Sequence, residues 1–246
     1  MTSPPGPPWP LTVVVPTRNE AGNIMPLLDR MPGVDKVVFV DDSDDDTAEV
    51  IRQVAPHATV KVELLHRAPG ERHGGLSGAV VAGLKLVESP WMCVMDGDLQ
   101  HPPEVIHKIM GAATEEVDLV VASRKNWDSI NEGLGPIRSF VSWVFGRVAV
   151  VLLRSRIGTC SDPLSGFFAV RTSALDTAAL NPTGFKILLE ILVTHPDLRR
   201  SEVGFAFARR ESGESNGSVR EAVRYLRHVV RLRRRLRAEA RQRAIA

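Results

Sequence analysis

Short apolar runs, each cut off by proline or by carboxylates, alternate along this chain with stretches whose apolar positions recur at helical spacing. Leu11-Thr12-Val13-Val14-Val15-Pro16 is β-branched and apolar, and predicts a buried strand stopped by its proline. Asn19 and Glu20 then open a helix that carries Ile24, Leu27, Leu28 and Met31 on one face. Val37-Val38-Phe39-Val40 predicts a second buried strand ending at Asp41-Asp42, Thr47 to Val54 a second helix, and Val60 to Leu65 a third strand. Gly74, Gly75 and Gly78 lead into a helix near Ala79 to Val87, and the run from Trp91 to Met95 forms a fourth strand. Strand and helix alternating through short links predict a parallel sheet wound with right-handed crossovers. The strand ends at Pro16, Val40 and Met95 then fall along one rim, where open α/β sheets bind ligands.

The second half is less regular. Pro102 to Ala113 predicts a helix, with Pro103 near the first turn, where a missing N–H costs nothing. Asp118 to Ala122 predicts a strand ending at Ser123-Arg124, Asn126 to Pro136 a loop, and Phe140 to Leu153 an apolar helix. Phe167 to Val170 follows as a strand and Ile187 to Val193 as a helix. From Ser218 the pattern is helical, with Val219, Ala222, Val223, Leu226, Val229, Val230 and Leu236 as one stripe. Opposite it stand Arg220, Arg224, Arg227, Arg231, Arg234, Arg235, Arg237, Arg241 and Arg243. Pro4, Pro5, Pro7, Pro8 and Pro10 predict a stiff leader that does not pack. The expected organisation is a leader over 1–10, one nucleotide-binding α/β domain over 11–217, and a basic amphipathic helical tail over 218–246.

Composition narrows the class. The 43% apolar and 24% charged fractions are those of an ordinary globular protein, and a net charge of +2 gives no chain-wide affinity for polyanions. Cys93 and Cys160 match neither a disulfide framework nor a zinc site, which points to a reducing, cytoplasmic compartment. The start lacks a basic segment followed by an apolar one, so no secretory signal is expected. Phe140 to Leu153, broken by Arg147, is too short to span a bilayer and reads as a core or interfacial helix.

The chemistry concentrates after the fourth strand, in Asp96-Gly97-Asp98-Leu99-Gln100. Two carboxylates one residue apart offer hard oxygen ligands suited to Mg²⁺ or Mn²⁺, an ion usually completed by substrate phosphates. A metal-bridged diphosphate is the chemical expectation; an acidic pair that only solvates a turn is the alternative.

Four blocks occur in order: Thr12-Val13-Val14-Val15-Pro16-Thr17-Arg18-Asn19-Glu20, Val40-Asp41-Asp42-Ser43, Asp96-Gly97-Asp98-Leu99-Gln100-His101-Pro102 and Ser165-Gly166-Phe167. Together they resemble the family 2 glycosyltransferases of the GT-A fold, and within these the polyprenol (dolichol) phosphate mannosyltransferases. The resemblance implies a Rossmann-like, mostly parallel sheet flanked by helices. It implies that Pro16, Thr17, Arg18, Glu20, Val40 and Asp42, with Asp96, Gly97, Asp98 and Arg210, hold a nucleotide sugar. It also implies that Asp96 and Asp98, with Gln100, hold the divalent cation, and that Arg124, Arg138 and Arg210 grip the acceptor phosphate. Asp96, Asp98 and Arg124 are its implied catalytic residues. Family members commonly carry Tyr where Arg18 stands, and a Gly-x-Ser-Lys ending that reads Gly213-Glu214-Ser215-Asn216 here.

The expected activity is inverting transfer of a hexose from a nucleotide-diphosphate sugar to a polyprenyl phosphate. GDP-mannose is the favoured donor, with UDP-glucose the other candidate. A soluble sugar or glycolipid acceptor is one alternative; a non-catalytic, nucleotide-binding adaptor is another, against which the intact Asp96/Asp98 pair weighs. For the tail, a basic amphipathic helix suits an anionic membrane surface, and a helix docked on the body is compatible with that. Nucleic acid is not expected, since Tyr225 alone interrupts the arginines with an aromatic ring. The expected placement is peripheral, on the inner face of the membrane, with a separate membrane subunit as a possible partner.

Overall fold

The computed structural model describes residues 9–124, 150–181, 183–206 and 219–245. The strands are β1 (Leu11–Thr17), β2 (Lys36–Asp41), β3 (Lys61–His66), β4 (Trp91–Val94), β5 (Leu119–Ser123), β6 (Phe168–Arg171) and β7 (Arg200–Gly204). They form one sheet in the order β3-β2-β1-β4-β6-β5-β7. The helices are α1 (Ala21–Asp29), α2 (Thr47–Val54), α3 (Gly75–Leu84), α4 (Val105–Gly111), α5 (150–157), α6 (Ile187–Thr194) and α7 (Val219–Ile245).

Helices cover both faces of the sheet, which is why its central strands read as continuous apolar runs. Alternate residues serve opposite layers. Val13 and Val15 of β1, with Val37 and Phe39 of β2, pack under Ile24 and Leu27 of α1, Ile51 of α2 and Ile109 of α4. Val14, Val38 and Val40 face Ala79, Val80 and Leu84 of α3, with Leu188 and Ile191 of α6 farther along. A third cluster joins Leu153 and Ile157 of α5, Leu189 and Val193 of α6, and Tyr225, Val229 and Leu232 of α7.

β1, β2 and β4 run parallel, with Thr17 opposite Asp41 and Val14 opposite Val94, so their carboxyl ends share a rim. The sheet is mostly parallel, as expected. β6 is the exception, antiparallel to both β4 and β5. β7 is not predicted from sequence: Arg-Ser-Glu-Val-Gly forms a half-buried edge strand beside β5, with too few apolar positions to show a period.

Other expectations shift. The helix expected from Ala79 starts at Gly75, because Gly74 takes a left-handed φ of 80° that sets the first turn earlier. The one expected over Pro102 to Ala113 is regular only from Val105 to Gly111. Trp9, expected in a leader that does not pack, lies against the core and donates from Nε1 to the Ala113 carbonyl at 2.6 Å. The stripe expected on the tail is rotated. Tyr225, Val229 and Leu232 are buried against the body, whereas Val223, Leu226 and Val230 are exposed. The Asn126 to Pro136 loop, residues 140–149 of the expected Phe140 helix, Arg138, Arg210 and Gly213 to Asn216 lie outside the described residues.

Candidate active site

A cleft of about 1010 Å³ opens along the shared rim, large enough for a nucleotide-sized ligand. Its first wall is the β1–α1 loop, with Pro16, Thr17, Arg18 and Glu20, joined by Asp42 after β2. Asn19 holds that loop in place. It takes a left-handed φ of 57°, a conformation that Asn tolerates better than most residues, and donates its N–H to Ser43 Oγ at 2.8 Å. In return its Oδ1 accepts from the Asp44 amide at 3.0 Å, and the Glu20 amide donates to Thr47 Oγ1 at 3.0 Å. The Asn-Glu block and the Val-Asp-Asp-Ser block are thus knitted into one rim.

Beneath it, the fully buried Asp41 accepts from Thr17 Oγ1 at 2.9 Å and from Ser43 Oγ, with His66 Nδ1 at 2.7 Å. Asp42 takes a bidentate pair from Arg67, at 2.7 and 2.5 Å. Arg67 Nη2 also donates to the Gly75 carbonyl at 3.1 Å, so one buried guanidinium ties the β2 end to the glycine loop before α3. That loop lies so close that a Cβ at Gly78 would sit 1.9 Å from the His73 carbonyl oxygen. Removing one partner from a buried ion pair strands the other's charge. Arg67→Ala should therefore cost about 3–5 kcal/mol and lower the melting temperature by roughly 10 °C, measurable by differential scanning calorimetry.

The floor is Asp96-Gly97-Asp98, at the end of β4. The Asp96 amide donates to Nδ1 of the buried His101 at 3.0 Å, which places that ring's proton on Nε2. Burial pushes the His101 pKa down to about 3, so the ring between Phe167 and Phe205 stays neutral. Asp98 Oδ1 accepts from the Gln100 amide at 3.1 Å across Leu99, a buried leucine with a φ of 61°. Strain of this kind, on the order of 1–3 kcal/mol, collects where the surroundings over-determine a functional turn. The Ser165-Gly166-Phe167 block seats the same turn. A Cβ at Gly166 would lie 3.2 and 3.3 Å from the two Asp96 carboxylate oxygens, while Ser165 Oγ donates to the Ala122 carbonyl at 2.7 Å.

The facing wall is cationic. Arg124, just past β5, is held by Asp162 through bonds of 2.8 and 3.0 Å. Burial alone would lower the Arg124 pKa, but the hydrogen bonds and charge of Asp162 outweigh it, and the net shift is upward. Lys186, ahead of α6, donates from Nζ to the Leu164 carbonyl at 2.9 Å, and burial pushes its pKa down to about 8. Arg224, Arg227, His228 and Arg231 of α7 complete the wall. That helix is clamped by the buried Glu190, which accepts from Arg231 at 2.9 Å and from the Asn181 amide at 2.7 Å, with His228 Nε2 3.2 Å away.

Among the residues singled out from sequence, Pro16, Thr17, Arg18, Glu20, Asp42, Asp96, Gly97, Asp98 and Arg124 share this cleft. Val40 does not line it, because its side chain is fully buried against α3. Gln100 is likewise absent from the lining and meets Asp98 through its backbone. Arg138 and Arg210 lie outside the described residues. The arginines of α7 add to the expected site: Arg224, Arg227 and Arg231, set opposite the apolar stripe from sequence and given no place at the nucleotide, line the cleft.

Glycosyl transferase family 2 matches residues 12–177, from β1 through β6. The chain belongs to that family. The dolichol-phosphate mannosyltransferase of Pyrococcus furiosus is 36% identical over 235 residues, covering 90% of this chain and 63% of that protein. Its namesake from Saccharomyces cerevisiae is 31% identical over 238 residues, covering 90% of this chain and 86% of the yeast protein. This chain therefore spans less than two thirds of the archaeal relative's length. The fold is GT-A. It resembles the crystal structure of glucosyl-3-phosphoglycerate synthase from Mycobacterium tuberculosis, in complex with Mn²⁺, uridine diphosphate and glucosyl-3-phosphoglycerate, with a TM-score of 0.66 at 19% identity, over 92% of this chain and 78% of that one. For a family 2 glycosyl transferase the four sequence blocks found the rim and floor. They left Arg67, Lys186 and the α7 arginines unmarked. Arg67 follows β3 with no motif around it, and the arginines of α7 give no sign in sequence of which face docks.

Proposed function

We propose that this protein is an inverting, metal-dependent hexosyltransferase that uses a nucleotide-diphosphate sugar as donor and a polyprenyl phosphate as acceptor. The observation that carries this is one cleft with a carboxylate floor facing a wall of cations. The names of the relatives, both dolichol-phosphate mannosyltransferases, support the lipid phosphate as acceptor and mannose as the sugar. GDP-mannose is accordingly the favoured donor and UDP-glucose the second.

The donor set fits Mg²⁺ or Mn²⁺. Asp96 and Asp98 reach the same cleft, and no group of three or more His, Cys, Asp or Glu ligands gathers among the described residues. Two carboxylates completed by substrate phosphates and water is the usual arrangement for Mg²⁺. Bound there, the ion would offset the charge that grows on the departing nucleoside diphosphate. Glu20 and Asp42 offer acceptor oxygens to the nucleoside. Arg124, held rigid by Asp162, would position the acceptor phosphate for in-line attack on the anomeric carbon. Arg138 and Arg210 are assigned to that phosphate from the family resemblance. The attacking oxygen is already anionic at neutral pH, so no general base is assigned.

The direct test follows radiolabelled hexose from each donor into an organic-extractable, acid-labile product. Label found only in glycolipid or free sugar would reassign the acceptor, and no transfer from any donor would leave a nucleotide-binding adaptor.

In this proposal residues 11–217 together with the cleft-lining face of α7 form the catalytic unit, and the outer face of 218–246 holds it at the inner face of the membrane. No helix among the described residues is long and apolar enough to cross a bilayer. Exposed Val223, Leu226 and Val230 lie on one strip of α7, at spacings of three and four, among its arginines. That combination suits an anionic lipid surface, or a membrane subunit lying in it. Leu226→Glu with Val230→Glu should reduce flotation with anionic liposomes about tenfold while the melting temperature stays unchanged, because both side chains are exposed.

A further inference from the structure

The cations around the cleft are not equivalent. Arg67 is matched by Asp42, Arg72 by Asp44, Arg124 by Asp162 and Arg231 by Glu190. Each of these guanidinium groups already faces a carboxylate that offsets part of its charge. Lys186 and Arg227 differ. Lys186 Nζ bonds the Leu164 carbonyl and stands 4.9 Å over the Phe185 ring, so one of its three donors is taken by a neutral oxygen and its charge meets no paired carboxylate among the described residues. Arg227 is exposed and makes no hydrogen bond or ion pair among the described residues. Both line the cleft, on neighbouring parts of one wall, since Phe185 packs on Tyr225 of α7 at 6.4 Å between ring centroids.

The charges on the floor point to what this wall binds. The two carboxylates of Asp96 and Asp98 would balance a divalent cation, which would hold the donor's diphosphate on that side. Among the described residues, Lys186 and Arg227 add two positive charges to the wall that carries Arg124, which suits a phosphate monoester dianion. We propose that Lys186 and Arg227 form a phosphate-monoester subsite that receives the acceptor headgroup. The assignment rests on the transferase reading and deepens it: α7 both meets the membrane and supplies a ligand to the acceptor. Lys186 provides a point charge fixed by its bond to the Leu164 carbonyl, in the same cleft as Asp96. Arg227, at the exposed edge, meets the phosphate as it enters.

Titration calorimetry on the full chain tests this with two probes, a short-chain water-soluble prenyl phosphate and inorganic phosphate, each with Mg²⁺ and nucleoside diphosphate present. A soluble probe removes any contribution from the lipid surface. Arg227→Gln and Lys186→Met should each weaken binding of the prenyl phosphate about 10- to 100-fold, with Lys186→Arg restoring part of it. Arg52→Gln, a charge loss on exposed α2, should leave it unchanged. Inorganic phosphate competing with the same dependence on both residues shows that the headgroup is what is read. If it fails to compete, the prenyl chain supplies the affinity and the subsite is withdrawn. Wild-type affinity in both variants, or loss of nucleoside diphosphate binding in place of the monoester, overturns the subsite too. Because Arg227 is exposed, its variant tests the idea even if Lys186→Met does not fold. Binding that depends on both residues in a protein that transfers no hexose keeps the subsite and sinks the transferase reading instead.

Discussion

Asp98→Ala should reduce hexose transfer by about three orders of magnitude, the few kcal/mol of leaving-group stabilisation at stake when the floor can no longer hold a cation. The fold should survive. Asp98 accepts one described backbone bond, from Gln100, and the packing of Phe167 and Phe205 on His101 does not involve it. The wild-type protein in excess chelator should fall to the same residual rate, and added Mg²⁺ or Mn²⁺ should rescue the wild type but not the variant. Undiminished transfer in chelator would remove the metal from the account and leave the two carboxylates as solvation of a turn.

Deleting residues 219–246 should abolish transfer to soluble and lipid acceptors alike. A detachable anchor would behave differently, sparing the soluble substrate. The deletion uncovers Leu153, Ile157, Leu189 and Val193, and leaves Glu190 buried without Arg231. Stranding that carboxylate alone costs about 3–5 kcal/mol, and the cleft loses a wall besides. The Glu190 clamp also sets a direction with pH. Burial opposes its ionisation, but His228, the Asn181 amide and Arg231 outweigh that and hold the carboxyl below its ordinary value. A carboxylate depressed in the folded state stabilises fully above its unfolded pKa and loses that contribution as pH falls through the folded one. Docking of α7 should therefore persist through neutral pH and weaken only in acid below the usual carboxylate range, readable from the accessibility of a cysteine placed at Val229. A truncated protein that keeps its melting temperature and still uses a soluble acceptor would return the tail to the role of a tether.

The left half of the sheet and the floor of the site were legible because their chemistry is local. β1, β2 and β4 are apolar runs that end where the chain needs polar atoms, and the Asp96 block carries its own spacing. Thr47–Val54 was bounded from sequence as the structure has it. What escaped is relational. β7 is too polar to show a period because one neighbour and half-burial suffice for an edge strand. Val223, Val229 and Val230 are equally apolar on a helical wheel, and only the surfaces of α5 and α6 decide that Val229 is covered and the other two are not. Val40 was read as a ligand contact from its place in a block. At the end of a strand buried on both faces, its side chain had only the core to enter.

The reversed direction of β6 has a consequence for how the protein is made. An antiparallel strand brings its beginning to the edge where its parallel neighbours bring their ends, so Ser165 and Gly166 meet a turn that left the ribosome far earlier. The carboxylates are translated long before the residues that seat them. Such distant partners make late, slow contacts during folding. The nascent chain can assemble the rim carried by β1 and β2 while the carboxylate floor of the cleft is still unformed.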